Sequence, residues 1–407
     1  MSPVVYPVFA PARAPAPDAR FGVDQLLWPV ERARFAQEYL ERKPLVLQRG
    51  PRDHHAALLS QSELESFLTI GRPSYSKVFA IDARRPIATD EFVGAHAEID
   101  PLRLFRLMET GATIVCREVE AHFAGLAGLC HSAEFFLNSR FQANVYWAPA
   151  GGQAFPAHYD ARDVYALQIS GSKRWRVYGV HRVLPQRDEH CRDALETTEP
   201  TLDITLHPGD ALYLPRGFVH LAQATDEASL HVSLITFPTT WADVLADALA
   251  QCCADDPAFR AGLPPGFFHD DGALANVFAD LAARFAASAR LAPALAAARR
   301  RLVIGCNPAP PDLRSQARLA ERLDQNSEIV ADPEALYTID EEPGVVALRG
   351  FGKEIRFAAE AADDLRACLN APRGRVRELP GRLDPASRLE LCRTLVAHGF
   401  LLPADAV

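Results

Sequence analysis

The stretch from His158 to His220 limits the fold more than any other, because it is a succession of short β-rich runs bounded by tight turns. Asp163-Val164-Tyr165-Ala166-Leu167-Gln168-Ile169 and Lys173-Arg174-Trp175-Arg176-Val177-Tyr178 flank Ser170-Gly171-Ser172, and together they read as a hairpin. Pro208-Gly209-Asp210 turns into the strand Ala211-Leu212-Tyr213-Leu214, and Pro215-Arg216-Gly217 turns again to deliver His220. Along the second run Lys173, Trp175 and Val177 share one face while Arg174, Arg176 and Tyr178 share the other. The more apolar face should point inward and carries Lys173 with it. That ammonium then either reaches back to solvent near the turn or meets an anionic partner inside, because a buried unpaired charge is costly.

His158-Tyr159-Asp160 opens the stretch. Residues two apart on an extended strand face the same way, so His158 and Asp160 can look into one cavity. A second imidazole returned by a later strand completes two His and one carboxylate on one face of an octahedron, a set that suits non-haem Fe(II) with positions left open. His220 and His231 both qualify, and the turn before His220 favours it. His181, His190 and His207 fall in or near a polar loop and read as solvated.

These segments, in this order and spacing, resemble the JmjC-type cupin family of 2-oxoglutarate oxygenases, and more narrowly its ribosomal-oxygenase branch. The resemblance spans about residues 20 to 240 and, more loosely, the rest. It implies a double-stranded β-helix, the jelly roll of cupins, which the many short strands and turn signals also fit. It implies Fe(II) held by His158, Asp160 and His220, with 2-oxoglutarate as cosubstrate and Lys173 on its far carboxylate. Asn144 and Tyr146, two apart on the strand Phe141–Trp147, and Ser233, on the strand Ser229–Ile235, are implied beside that cosubstrate. No acid–base residue is needed. The reaction implied is hydroxylation of a C–H bond on a polypeptide such as a ribosomal protein. A hydroxylase of a small molecule or peptide natural product is the alternative, and a non-enzymatic metal- or ligand-binding cupin is the reading from another class.

The chain has 407 residues, 48% hydrophobic and 23% charged, with a formal charge of -9, as expected of an ordinary globular protein with two or three domains. That balance argues against a basic footprint over the whole molecule. Eight cysteines lie scattered with no Cys-x-x-Cys pair, so they read as reduced thiols and a cytoplasmic location is expected. No apolar run approaches a membrane span.

Residues 1–20 are rich in Pro and Ala and read as a mobile arm. Residues 21–238 should form the catalytic domain, with flanking helices at Pro29–Leu40, Ser60–Ile70, Pro101–Thr110 and His131–Leu137. Residues 239–306 read as helical, opened by a capping box at Thr240 and Asp243. The resemblance implies a homodimer through such a segment, for which Leu281, Phe285 and Leu291 are available. After a Pro-rich linker at 307–311, residues 312–407 read as a small α+β unit, which the resemblance makes winged-helix-like. It holds a hairpin around Gly350 and Gly352 and a helix started by Asp384-Pro385. Arg373, Arg375, Arg377 and Arg382 form a local basic cluster there, read either as a nucleic-acid or acidic-protein contact or as a solvated loop.

Overall fold

The computed structural model describes residues 21–404 apart from 51, 95, 190, 192, 193, 270, 271, 308–312, 333, 371 and 372. The expected mobile arm and most of the linker therefore lie outside the described residues. The chain divides into two compact units, the first ending at Phe237 and the second beginning at Pro238.

The first unit is built on ten strands: β1 (Leu45–Leu47), β2 (Val78–Ile81), β3 (Thr113–Cys116), β4 (Ser139–Ala148), β5 (Val164–Ser170), β6 (Lys173–Val180), β7 (Leu202–Leu206), β8 (Ala211–Leu214), β9 (Phe218–Ala224) and β10 (Ser229–Pro238). Seven of them form one sheet in the order β1-β8-β5-β10-β4-β3-β2, and β7-β6-β9 form a second. This is the expected jelly roll, with one correction. The runs on either side of Gly171 do not pair with each other: β5 lies between β8 and β10, whereas β6 lies between β7 and β9. The short connection is a corner that carries the chain from one sheet to the other. Gly171 makes it feasible, with φ +60° and a position where a Cβ would stand 1.8 Å from the carbonyl oxygen of Ala228.

Alternation along each strand separates two interiors. Val164, Ala166, Leu212 and Leu214 of the large sheet meet Trp175, Val177, Leu206 and Phe218 between the sheets. Tyr165, Leu167, Ala211 and Tyr213 point the other way, into a larger core with Leu26, Phe35, Leu64, Leu104 and Leu126. Five helices supply that core: α1 (Val23–Leu27), α2 (Arg32–Glu38), α3 (Gln61–Thr69), α4 (Pro101–Glu109) and α5 (Ala124–Leu137). The large sheet is thus covered on both faces, so β5 and β8 read as near-continuous apolar runs. Helix α3 starts where Ser60 caps it and accepts from the Glu63 amide. Helix α1, only five residues long, has no counterpart in the sequence reading.

The second unit opens with α6 (Trp241–Asp255), α7 (Gly272–Ser288) and α8 (Leu291–Gly305), and Thr240 and Asp243 form the expected capping box. Phe285 packs against the small cluster of Val244, Ala248, Ala294 and Ala298, so it is spent on this helical group and is not free for a partner. The remainder holds α9 (Leu313–Arg322), β11 (Glu328–Ala331), β12 (Tyr337–Glu342), β13 (Val345–Gly350), β14 (Lys353–Ala358), α10 (Ala362–Asn370), β15 (Gly374–Arg375), α11 (Pro385–Ala397) and β16 (Leu401–Pro403). The hairpin is β13 with β14, and Asp384 caps α11 through the Ala386 and Ser387 amides. The basic cluster is largely neutralised: Arg373 and Arg375 both reach Glu328, at 2.8 and 3.6 Å, and Arg377 bonds Asn326. No helix among the described residues is long and apolar enough to cross a membrane.

Candidate metal centre

His158 lies just before β5 and His220 on β9, and an isolated antiparallel bridge joins them. The His158 amide donates to the His220 carbonyl at 3.1 Å, and the His220 amide returns the bond at 2.8 Å. Asp160 is tied to the same place, because its carbonyl accepts from the Gly217 amide at 2.9 Å. The ligand atoms of His158, Asp160 and His220 all lie within 4.8 Å of one another. Asp160 Oδ2 is 3.6 Å from His220 Nε2 and 4.0 Å from His158 Nε2.

Each imidazole is oriented by the backbone. Nδ1 of His158 sits 2.8 Å from the Pro156 carbonyl, and Nδ1 of His220 sits 3.1 Å from the Phe218 carbonyl. A carbonyl only accepts, so Nδ1 carries a proton and Nε2 is the nitrogen that faces Asp160. Burial, reinforced by the neighbouring His158, pushes the His220 imidazole down to about 4. Two imidazole nitrogens and a carboxylate gathered in one place fit a divalent first-row metal with open positions.

Gly217 makes this arrangement geometrically feasible. Its φ is +86°, and a Cβ there would stand 1.7 Å from the Arg182 carbonyl oxygen. Gly217→Ala is expected to cost on the order of 3 kcal/mol in urea unfolding. Because Asp160 and His220 flank the strained turn, Co(II) titration followed by absorbance should show weakened binding in the same variant. Unchanged binding would mean that the turn does not position the set.

The set faces a cavity of about 630 Å³, also lined by Gln142, Asn144, Tyr146, Lys173, Trp175, His231 and Ser233. All seven residues expected at the site line this one cavity. A shallower groove of about 760 Å³, with Phe105, Met108 and Glu109 in its wall, contains none of them. β4 turns Gln142, Asn144 and Tyr146 inward and Phe141, Ala143 and Val145 into the helix-side core. β10 does the same with His231 and Ser233 against Leu230, Val232 and Leu234.

Lys173 is 2% exposed, so its ammonium does not reach solvent. No carboxylate lies within ion-pair range of it among the described residues, and burial alone lowers its pKa to about 7. Two more polar atoms of the same wall, Trp175 Nε1 and His231 Nδ1, are buried without a hydrogen-bond partner among the described residues. His231 stacks on Tyr146 at 4.9 Å, and burial, then the Lys173 charge, hold its pKa well below the usual range. The side-chain oxygen of Asn144 accepts from Gln142 Nε2 at 2.8 Å, so its amide nitrogen is left to the cavity. Gln142 was readable by period two from Asn144. Arg117, Glu118, Phe155 and Arg162, on scattered loops, gave no such signal.

Residues 122–244 match the family model of the JmjC domain. The chain is 30% identical over 250 residues to ribosomal oxygenase 1 of Gallus gallus, covering 59% of this chain and 41% of that protein. It is 27% identical over 252 residues to the bifunctional lysine-specific demethylase and histidyl-hydroxylase NO66 of Culex quinquefasciatus, covering 58% of this chain and 39% of that one. It thus spans well under half the length of either relative. The ribosomal oxygenase YcfD of Escherichia coli, solved with cobalt and 2-oxoglutarate, superposes with a TM-score of 0.53 at 16% identity over 92% of this chain and 98% of its own, a likeness of fold. The matched segment, residues 122–244, thus carries the His-x-Asp and distant His of the candidate metal set within a two-sheet cupin barrel, and the chain is similar to ribosomal oxygenases.

Proposed function

We propose that this protein is an Fe(II)- and 2-oxoglutarate-dependent oxygenase that hydroxylates a side chain of a polypeptide. The observation that carries the reading is a metal-ligand set sharing one cavity with a fully buried, carboxylate-free lysine. His158, Asp160 and His220 would hold Fe(II). Lys173 would hold the far carboxylate of 2-oxoglutarate, with Asn144, Tyr146 and Ser233 completing that wall. Bound together, metal and cosubstrate supply the oxidising power that puts one oxygen atom of O2 into a C–H bond, while the cosubstrate leaves as succinate and CO2. The protein's part is to orient and to exclude water: an anion at Lys173 finds a charge already desolvated, so little reorganisation accompanies binding. The names of the relatives, two of them ribosomal oxygenases and one a histidyl-hydroxylase, support a ribosomal protein as the polypeptide. We assign catalysis to residues 21–238, a helical and dimer-forming role to 239–306, and a winged-helix-like unit to 312–407.

The test is anaerobic. Wild-type protein loaded with Fe(II) and 2-oxoglutarate should develop the visible charge-transfer band of a chelated keto acid. His158→Ala should lose the band, and Lys173→Ala should require far more cosubstrate to reach it. Absence of the band in folded, iron-loaded wild type would sink the assignment in favour of a binding module.

A further inference from the structure

The cavity is edged, on its accessible side, by arginines that the metal set does not use. Arg117 and Arg162 line it. Arg140 joins them through Phe237, another lining residue: the guanidinium carbons of Arg140 and Arg162 lie 4.5 and 3.9 Å from the centre of its ring. Arg187 lies near enough for its charge to act on Arg162. None of the four has a carboxylate within ion-pair range among the described residues. Of the acids lining the cavity, Glu118 is neutralised by Lys77 at 2.5 Å and Asp160 belongs to the metal set. Many other arginines of this unit are paired, as Arg84 with Asp82, Arg85 with Glu91 and Arg174 with Asp203 illustrate, whereas those without an ion pair among the described residues, such as Arg42, Arg52 and Arg106, do not line the cavity. Four like charges gathered at one rim with no carboxylate in ion-pair range among the described residues, Asp160 acting on Arg162 and Glu120 on Arg140 only at longer range, repel one another and create a local field for an anion. A guanidinium laid over an aromatic ring has its plane fixed and its N–H edge free, the geometry that takes a carboxylate through two parallel bonds.

We propose that Arg117, Arg140, Arg162 and Arg187 form a recognition rim for an acidic side chain, Asp or Glu, close in sequence to the residue that enters the cavity. The proposal rests on the oxygenase reading above and gives its polypeptide substrate a chemical signature. A nucleic acid fits less well, because the chain's formal charge is -9 and a phosphate backbone would need an extended basic track.

The test uses the full chain loaded anaerobically with Fe(II) and 2-oxoglutarate, with the charge-transfer band recorded on each sample. Three rhodamine-labelled probes are followed by anisotropy: a Gly-Ser peptide with a central His flanked by Glu, the same peptide flanked by Lys, and a short oligouridylate. Wild type should bind the Glu peptide about tenfold or more tightly than the Lys peptide. Arg162→Gln should erase most of that preference. Arg187→Gln, at an exposed position that folding tolerates, should reduce it severalfold. Equal binding of the two peptides, or a preference that survives both substitutions, would overturn the rim. Oligouridylate binding tighter than the Glu peptide, and lost in Arg162→Gln, would overturn it in favour of nucleic acid. A band without a Glu preference defeats the rim alone; a Glu preference without a band defeats the oxygenase reading alone.

Discussion

Lys173→Met should weaken 2-oxoglutarate binding by about 10²–10³-fold while raising the melting temperature of the protein without cosubstrate. The opposed signs follow from one fact, an ammonium 2% exposed with no carboxylate partner among the described residues. In the role proposed for Lys173, pairing that charge with the cosubstrate carboxylate would be worth roughly 3–5 kcal/mol, the usual cost of breaking a buried pair. Before the cosubstrate arrives, the same charge is only a desolvation cost, which an isosteric thioether removes. Acidity supplies a second readout. The folded pKa is about 7, against an ordinary lysine value of 10.5. Between these values the unfolded chain holds a proton that the folded protein lacks, so stability should rise with pH across that window. Cosubstrate binding requires the ammonium, so its apparent Kd should rise about tenfold per pH unit above pH 7. Lys173→Met should flatten both profiles. Urea melts and band titrations from pH 6 to 9 measure them, and a wild-type affinity independent of pH would refute the assignment.

Asp210→Ala should cost about 3–5 kcal/mol and lower the melting temperature by roughly 10 °C or more. Asp210 is 3% exposed, and its two oxygens accept from the Arg49 and His207 amides at 2.7 and 2.9 Å. The Arg49 guanidinium is spent on the Trp28, Gly209 and Leu26 carbonyls. Burial opposes its charge and Asp210 favours it. Removing the carboxylate leaves the Arg49 and His207 amides unpaired inside the protein and takes away the counter-charge that favours the buried Arg49 guanidinium. Arg49→Met/Asp210→Ala should be more stable than Asp210→Ala, because it removes the stranded charge as well. A loss under 1 kcal/mol for the single variant, measured by urea unfolding, would show that the pair is not a clamp.

The strands and their inward faces were legible because alternation is a local property. Lys173, Trp175 and Val177 were read as one inward face and are buried together. The choice of partner strand is not local. Nothing within residues 163–178 says that β5 joins β8 and β10 while β6 joins β7 and β9, so a glycine corner and a hairpin turn look alike. The same limit applies to charge. Arg373 and Arg375 look free in sequence because Glu328, their partner, lies some forty residues away. Within the site, His158, Asp160 and His220 were readable from spacing and resemblance. The arginine rim was not, because its members come from unrelated loops and strand ends with no shared period.

The reciprocal backbone bridge between His158 and His220 has a consequence for how the protein matures. The distance between the two imidazoles is set by the peptide chain, so the fold itself holds the ligand set in place. The same bridge closes a loop of some sixty residues that contains four strands divided between both sheets, and such non-local closure comes late in folding. A growing polypeptide therefore offers His158 and Asp160 as an incomplete chelate until the strand carrying His220 has been synthesised and has docked. Completion of the ligand set is thus expected to be a closing event of assembly rather than its nucleus.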